Sequence, residues 1–344
     1  MKILVLDTLY PEFLDALIFD PEMPYEAQLA SVMSKCFGTF DACSRALRTM
    51  GWDAVDIIVN SLELQHQWNL EYDGQVSSNI LQHQIAHYRP DVIFLQDLNI
   101  ELPPLPSHIL VAGQCSCPMP PEHRVRQCQI LFTSFPHYVE RFRKWGITAV
   151  YNPLAFDPIV LDRTVPAERS YDVVFVGGVG NPGHWRAGMQ MLERVARDVP
   201  SFRWWGYGFD QLPINSRLRD KYQGPAWGLE MYQSFRQAKI VVNRHGEVAE
   251  GYANNMRLFE VTGMGAALVT EAAPNLEDFF ACGESPEVAP YADPLEAVDN
   301  IQFLLTSDKY RADIAQAGQR RTLKDHTYAQ RMLTVSEHLM DALR

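Results

Sequence analysis

The feature that most constrains the fold is a series of short, nearly continuous apolar runs, each ending in a polar or glycine-containing break. "KILVLD" opens the chain at residues 2–7; "VDIIVN" (55–60), "DVIFLQD" (91–97), "HILVAG" (108–113) and "QILFTS" (129–134) follow. A strand with one wet face alternates apolar and polar residues. A run that stays apolar is buried on both faces, as strands of a parallel sheet are. Helical stretches at 42–50 and 76–88 lie between the runs, and "PHYVERFRKWG" (136–146) starts with Pro and ends with Gly, the punctuation of a helix. The pattern predicts an α/β architecture with right-handed crossovers.

The stretch 151–170, "YNPLAFDPIVLDRTVPAERS", contains three prolines and reads as a connector. A second α/β series follows it. Its strand candidates are "YDVVFVGG" (171–178), "FRWWGYG" (202–208), "KIVVNRH" (239–245), "ALVTE" (267–271) and "EVAPYA" (287–292). Helices are expected near 184–198, 228–238, 254–263, 275–281, 294–306 and 309–324, with a terminal helix over 327–344. A length of 344 residues accommodates two cores. The expected organisation is a first domain over 1–150, the connector 151–170, a second domain over 171–326 and the terminal helix. Open α/β sheets bind ligands beyond the carboxyl ends of their strands, so a cleft faced by both sets of strand ends is the expected site.

The formal net charge of −12 leaves no global electrostatic footprint for nucleic acid or an anionic membrane, although a local basic cleft is compatible with it. The N-terminal apolar run of about five residues meets Asp7, where a signal peptide needs about seven to fifteen. No run approaches the roughly twenty apolar residues of a membrane span, so a cytoplasmic protein is expected. Six cysteines are too few for a disulfide scaffold of this length. "CSC" (115–117) with Cys128 lacks a second pair of ligands at zinc spacing, and no metal site is expected. There is no Gly-x-Ser-x-Gly elbow, His-Glu-x-x-His helix or Walker lysine, which counts against serine hydrolases, zincins and P-loop enzymes.

The candidate residues cluster at predicted strand ends. In "GYANNMRLFEVTGMG" (251–265), Met256, Phe259 and Gly263 share one helical stripe and Asn254, Arg257 and Glu260 another. One reading makes Arg257 and Glu260 a surface pair of little energetic weight. The other places the helix start, with Asn255 and Met256, at a diphosphate, Arg257 forking onto it and Glu260 accepting ribose hydroxyls. "VGGVGNPGH" (176–184) brings Gly177 and Gly178 after a strand, where backbone can approach a phosphate or simply turn. His184 and Arg186 open the next helix. "NRHGE" (243–247) ends a buried strand with Arg244 and His245. Asp97 ends "FLQD" and is read either as a base or acceptor ligand or as a turn residue. Gly38, Thr39 and Asp41 precede a helix and suit a cap or a substrate loop.

The blocks "NMRLFEVTGMGAALVTE" (255–271), "NLEDFF" (275–280) and "AGQRRTLKDHTYAQRM" (317–332) resemble, in order and spacing, the group-1 glycosyltransferases, and within them the CgeB-like (spore-maturation-type) branch. "YQGPAWGLEMYQSFRQAKIVVNRH", "DVVFVGG", "FLQDL" and "SFPHYVERFRKWGI" extend the likeness over most of the chain. The resemblance implies a GT-B architecture: two Rossmann-like domains, a nucleotide-sugar held mainly by the second, an acceptor facing the first, and a last helix crossing back onto the first. It implies metal-independent transfer with retention, and a nucleotide-sugar that is co-substrate rather than cofactor. Glu260, with Gly265 five positions on, matches the second half of the group's Glu-x7-Glu motif, whose last glutamate binds ribose. The first glutamate falls at Tyr252, so Asn254 and Asn255 stand in its place, and the sugar and the anomeric outcome stay open. Arg186 and Arg257 are implied at the diphosphate and His245 at sugar or phosphate. The expected activity is hexosyl transfer to a glycan, protein or small-molecule hydroxyl. A nucleotide-sugar epimerase or hydrolase, or a nucleotide-binding protein with a vestigial site, are the alternatives.

Overall fold

The computed structural model describes residues 1–74, 79–180 and 186–344, and the chain forms two units: 1–153 with 328–344, and 154–327. In the first unit β1 (Lys2–Asp7), β2 (Asp53–Ile58), β3 (Val92–Leu95), β4 (Leu110–Cys115), β5 (Ile130–Thr133) and β6 (Thr148–Tyr151) form one sheet in the order β2-β1-β3-β4-β5-β6. Every neighbouring pair is parallel, with Val5 opposite Asp56 on one side and Phe94 on the other. Ile3, Leu4, Leu6 and all of β3 are fully buried, which is why these strands read as unbroken apolar runs. Strand β6, "TAVY", lies at the sheet edge with only Ala149 buried, so no apolar run announces it. Helix Tyr328–Ala342 belongs to this unit. It buries Met332, Val335 and Leu339, lies along helix Ala42–Thr49, and Ser336 Oγ accepts the Trp52 indole N–H at 2.8 Å.

In the second unit β7 (Tyr171–Val176), β8 (Phe202–Trp205), β9 (Ala238–Asn243), β10 (Ala267–Glu271) and β11 (Ala289–Tyr291) form a parallel sheet in the order β11-β10-β9-β7-β8. Val173, Ile240 and Val269 on the inner strands pack with Leu192, Val195 and Ile301 from flanking helices. Residues 154–170 belong to this unit and include the short helix Ile159–Arg163. The stretch is fastened rather than free. Arg169 donates to the carbonyls of Ala238 and Gly265, and Arg236 donates to those of Leu161 and Thr164.

Two predicted helices differ. The segment 275–281 holds only a 3-10 turn, Leu276–Asp278, because the Asn275 side chain is bonded to both N–H and C=O of Ala253. The helix expected from 254 starts at Arg257, and residues 253–255 run irregularly before it. Each sheet has one place where the chain reverses the direction in which it adds strands: between β1 and β3, and between β7 and β9. The carboxyl ends flanking such a switch form the crevice where α/β sheets hold ligands.

Candidate functional site

In the second unit, β7 delivers Gly177 and Gly178 to the switch, and β9 delivers Arg244 and His245. Helix Arg257–Gly263 begins beside both. The Arg257 Nε donates to the Val176 carbonyl at 3.1 Å, and the Arg244 Nη2 donates to the Gly178 carbonyl at 2.7 Å. Two guanidinium groups are therefore anchored on either side of the glycine turn. Arg244 is 2% exposed and lies over the Phe175 ring. Burial lowers its pKa to about 10, so it stays a cation at neutral pH. Gly188 makes room for it: a Cβ there would meet Arg244 Cδ at 2.1 Å.

Arg257 and Glu260 form an ion pair, as their three-residue spacing allows, but it is no surface pair. Glu260 is 2% exposed, and its second carboxylate oxygen accepts the Tyr232 hydroxyl at 3.0 Å. The carboxylate is turned into the unit rather than open to a ribose. Arg257 is the accessible member, its side chain 26% exposed over the Phe235 ring.

The asparagines divide. Asn255 donates to the Asn243 side chain and to the Arg244 carbonyl, and accepts from the Leu258 N–H. Its amide is used up in fastening the helix start to β9, so it positions rather than binds. Asn254 is half-buried and makes no side-chain hydrogen bond among the described residues. Met256 occupies the helix N-cap with no capping side-chain bond. The glycine turn also differs from a phosphate cradle. The Gly177 N–H donates to the Trp205 carbonyl, and the space above Gly178 is filled by Tyr207, whose ring a Cβ would meet at 2.5 Å. The glycines serve this close packing. His184 and the side chain of Arg186 lie outside the described residues.

His245 is held by Glu271 twice. Its backbone N–H donates to the Glu271 carboxylate at 2.9 Å, and its ring Nε2 lies 3.1 Å from the Glu271 carbonyl. Burial drops its pKa to about 4, so the ring is neutral at physiological pH.

In the first unit Asp97 takes part in a turn, its Oδ1 accepting the Asn99 N–H at 2.9 Å, while its Oδ2 accepts the Thr8 hydroxyl at 2.6 Å. Through Thr8 it neighbours Asp7, which the strand reading of "KILVLD" passed over. Asp7 accepts the Thr8 N–H and the Thr39 hydroxyl. Burial raises its pKa to about 7, with the Asp97 charge adding to the rise and the Thr8 N–H opposing it. The signal was present: β1, like β3, runs into an aspartate at its carboxyl end. Thr39 thus joins these carboxylates, whereas Asp41 makes no cap bond and pairs with Arg45. None of the six cysteines is in a disulfide, and four of them are buried. Among the described residues, no group of three or more His, Cys, Asp or Glu side chains is placed to share a metal ion. No described helix is long and apolar enough to cross a membrane.

Residues 186–337 match a family model described as glycosyl transferase-like. No curated protein matches the sequence significantly. Among solved structures, Anabaena HepE in complex with UDP-glucose is similar at a TM-score of 0.62 and 14% identity, over 99% of this chain and 100% of that one. Sucrose-phosphate synthase from Thermosynechococcus elongatus gives 0.59 and 11%, over 99% and 98%. A glycosyltransferase from Rickettsia africae gives 0.58 and 11%, over 100% and 98%. The fold is GT-B. At such identities the likeness is one of backbone, so it places no side-chain role, and the family match covers residues 186–337 alone. The arginines and His245 stand at the switch point of the second GT-B unit, and Asp7 and Asp97 at that of the first.

Proposed function

We propose that the protein transfers a hexose from a UDP-sugar to an acceptor hydroxyl, without a bound metal and with retention of anomeric configuration. The observation that carries this reading is the pair of anchored guanidinium groups, Arg244 and Arg257, flanking the β7–β9 switch point. The match of residues 186–337 to glycosyl transferase-like sequences and the UDP-glucose complex of the similar HepE structure support it. The order of the 255–271, 275–280 and 317–332 blocks favours the CgeB-like branch.

In this reading the leaving group is a diphosphate, and fixed positive charge aimed at it lowers the barrier as negative charge builds. Arg257 meets the diphosphate from the exposed side of its ion pair, and Glu260, buried against Tyr232, holds that guanidinium in place. Arg244, too buried to move, adds a standing charge. The acceptor oxygen bonds to the anomeric carbon as the carbon–phosphate oxygen bond breaks, and the acceptor proton passes to the diphosphate. Asp97, bonded to Thr8 at the switch point of the first unit, is the residue this reading assigns to acceptor binding. Incubation with UDP-glucose and a panel of saccharides tests the proposal. Acceptor-dependent UDP release, unaffected by chelator, with an α-linked product by NMR, is expected. Donor turnover without acceptor, or none with any UDP-hexose, contradicts it.

A further inference from the structure

His245 carries an acceptor with nothing to accept. The Glu271 carbonyl, 3.1 Å from Nε2, can only accept a hydrogen bond, so Nε2 must bear the ring proton. Nδ1 is then a bare lone pair. It is buried, and no described group donates to it. Leaving such an atom without a donor is unfavourable, and native proteins rarely do so outside functional sites. The ring cannot relieve the deficit by taking a second proton near neutral pH, because burial holds its pKa at about 4. It also cannot turn away readily, since the backbone N–H and the ring are both tied to Glu271.

This chemistry selects the group that answers it. A diphosphate diester at neutral pH presents only acceptor oxygens, so a neutral Nδ1 lone pair repels it. A sugar hydroxyl, or the N–H of an acylamino sugar, supplies the missing hydrogen. From the geometry at the carboxyl end of β9 we propose that His245 is a specificity-determining residue that accepts a hydrogen bond from the transferred sugar rather than contacting the diphosphate. The inference rests on the donor reading above and narrows it: the sugar carries a donor group at this position, and a deoxy sugar lacking it binds poorly.

Calorimetric titration of UDP and of UDP-glucose into the wild type, His245→Ala and His245→Asn separates the outcomes. UDP has the ribose and diphosphate but no transferred sugar. The expected result is that His245→Ala leaves the UDP Kd within about twofold and weakens UDP-glucose by about tenfold, the range of one hydrogen bond to an otherwise buried partner. His245→Asn, whose Oδ1 restores an acceptor at a similar distance from the backbone, should recover part of that loss. Equal weakening of UDP and UDP-glucose, or no selective weakening of UDP-glucose in a His245→Ala protein that binds UDP, overturns the inference. If Ala does not fold, His245→Asn alone decides it: it must keep UDP-glucose binding nearer the wild type than His245→Leu, which offers no acceptor. Failure of the wild type to bind UDP at all overturns instead the donor reading, and the inference falls with it.

Discussion

Each oxygen of the buried Glu260 carboxylate has a partner, Tyr232 on one side and Arg257 on the other. Replacing it by Gln keeps the tyrosine bond and turns an amide against the guanidinium. We expect a loss of about 2–3 kcal/mol in urea denaturation. A change below about 0.5 kcal/mol would mean that the pair behaves as a solvated surface pair after all. Residue identities at this site were legible: Arg257, Glu260, Arg244 and His245 all stand at the switch-point ends. What each side chain does was not legible. The choice between surface pair and buried pair depended on Tyr232, 28 positions away in sequence, and Asn255 is consumed by Asn243 and Arg244, which no local pattern encodes.

Helix Arg257–Gly263 shows how element ends are set. Its stop was readable, because Gly265 sits at a φ of +71°, where a side chain is strained, and its N–H closes the last turn on the Thr262 carbonyl. Gly265→Ala should cost about 1 kcal/mol from the backbone alone, with a little more from crowding against Gln319 at 3.1 Å. Gly263→Ala should cost about 1–3 kcal/mol, since its Cβ would meet the Phe156 ring at 2.5 Å. Thermal unfolding of the two variants checks both values, and an unchanged Tm in either would refute the corresponding account. The helix expected from 254 starts at Arg257, because the Asn255 side chain is tied laterally to Asn243 and to the Arg244 carbonyl. Inner strands were legible from their apolar runs, while edge strand β6 was not, because half of it faces water.

At the scale of the whole molecule, two half-buried groups give stability opposite dependences on pH. Asp7 ionises near 7 when folded and near 4 when unfolded, so the folded state holds an additional proton between those values. Its contribution is present below about pH 4 and is lost as pH rises to 7. His245 ionises near 4 when folded and about 6.5 when unfolded. Its contribution is present above about pH 6.5 and is lost as pH falls towards 4. Relative to the wild type, Asp7→Asn should therefore be more stable at pH 8 than at pH 4.5. His245→Asn should shift the other way, with urea midpoints as the readout. A stability difference independent of pH in either variant would contradict the assigned environment. The two-unit α/β plan was legible because it follows from repeated local patterns. The partnership of Asp7 with Asp97 was not, because 90 residues separate them and only the parallel pairing of β1 with β3 brings them together.

The central claim is that the β7–β9 switch point of the second unit is a nucleotide-sugar site built on Arg244 and Arg257. Calorimetric titration of UDP-glucose into the wild type and Arg257→Ala tests it most directly. The account predicts one site per chain in the wild type and at least about tenfold weaker binding in a variant that remains folded, the scale of a lost charge-assisted hydrogen bond. Equal affinity in the two proteins, or no binding to the wild type, would contradict it.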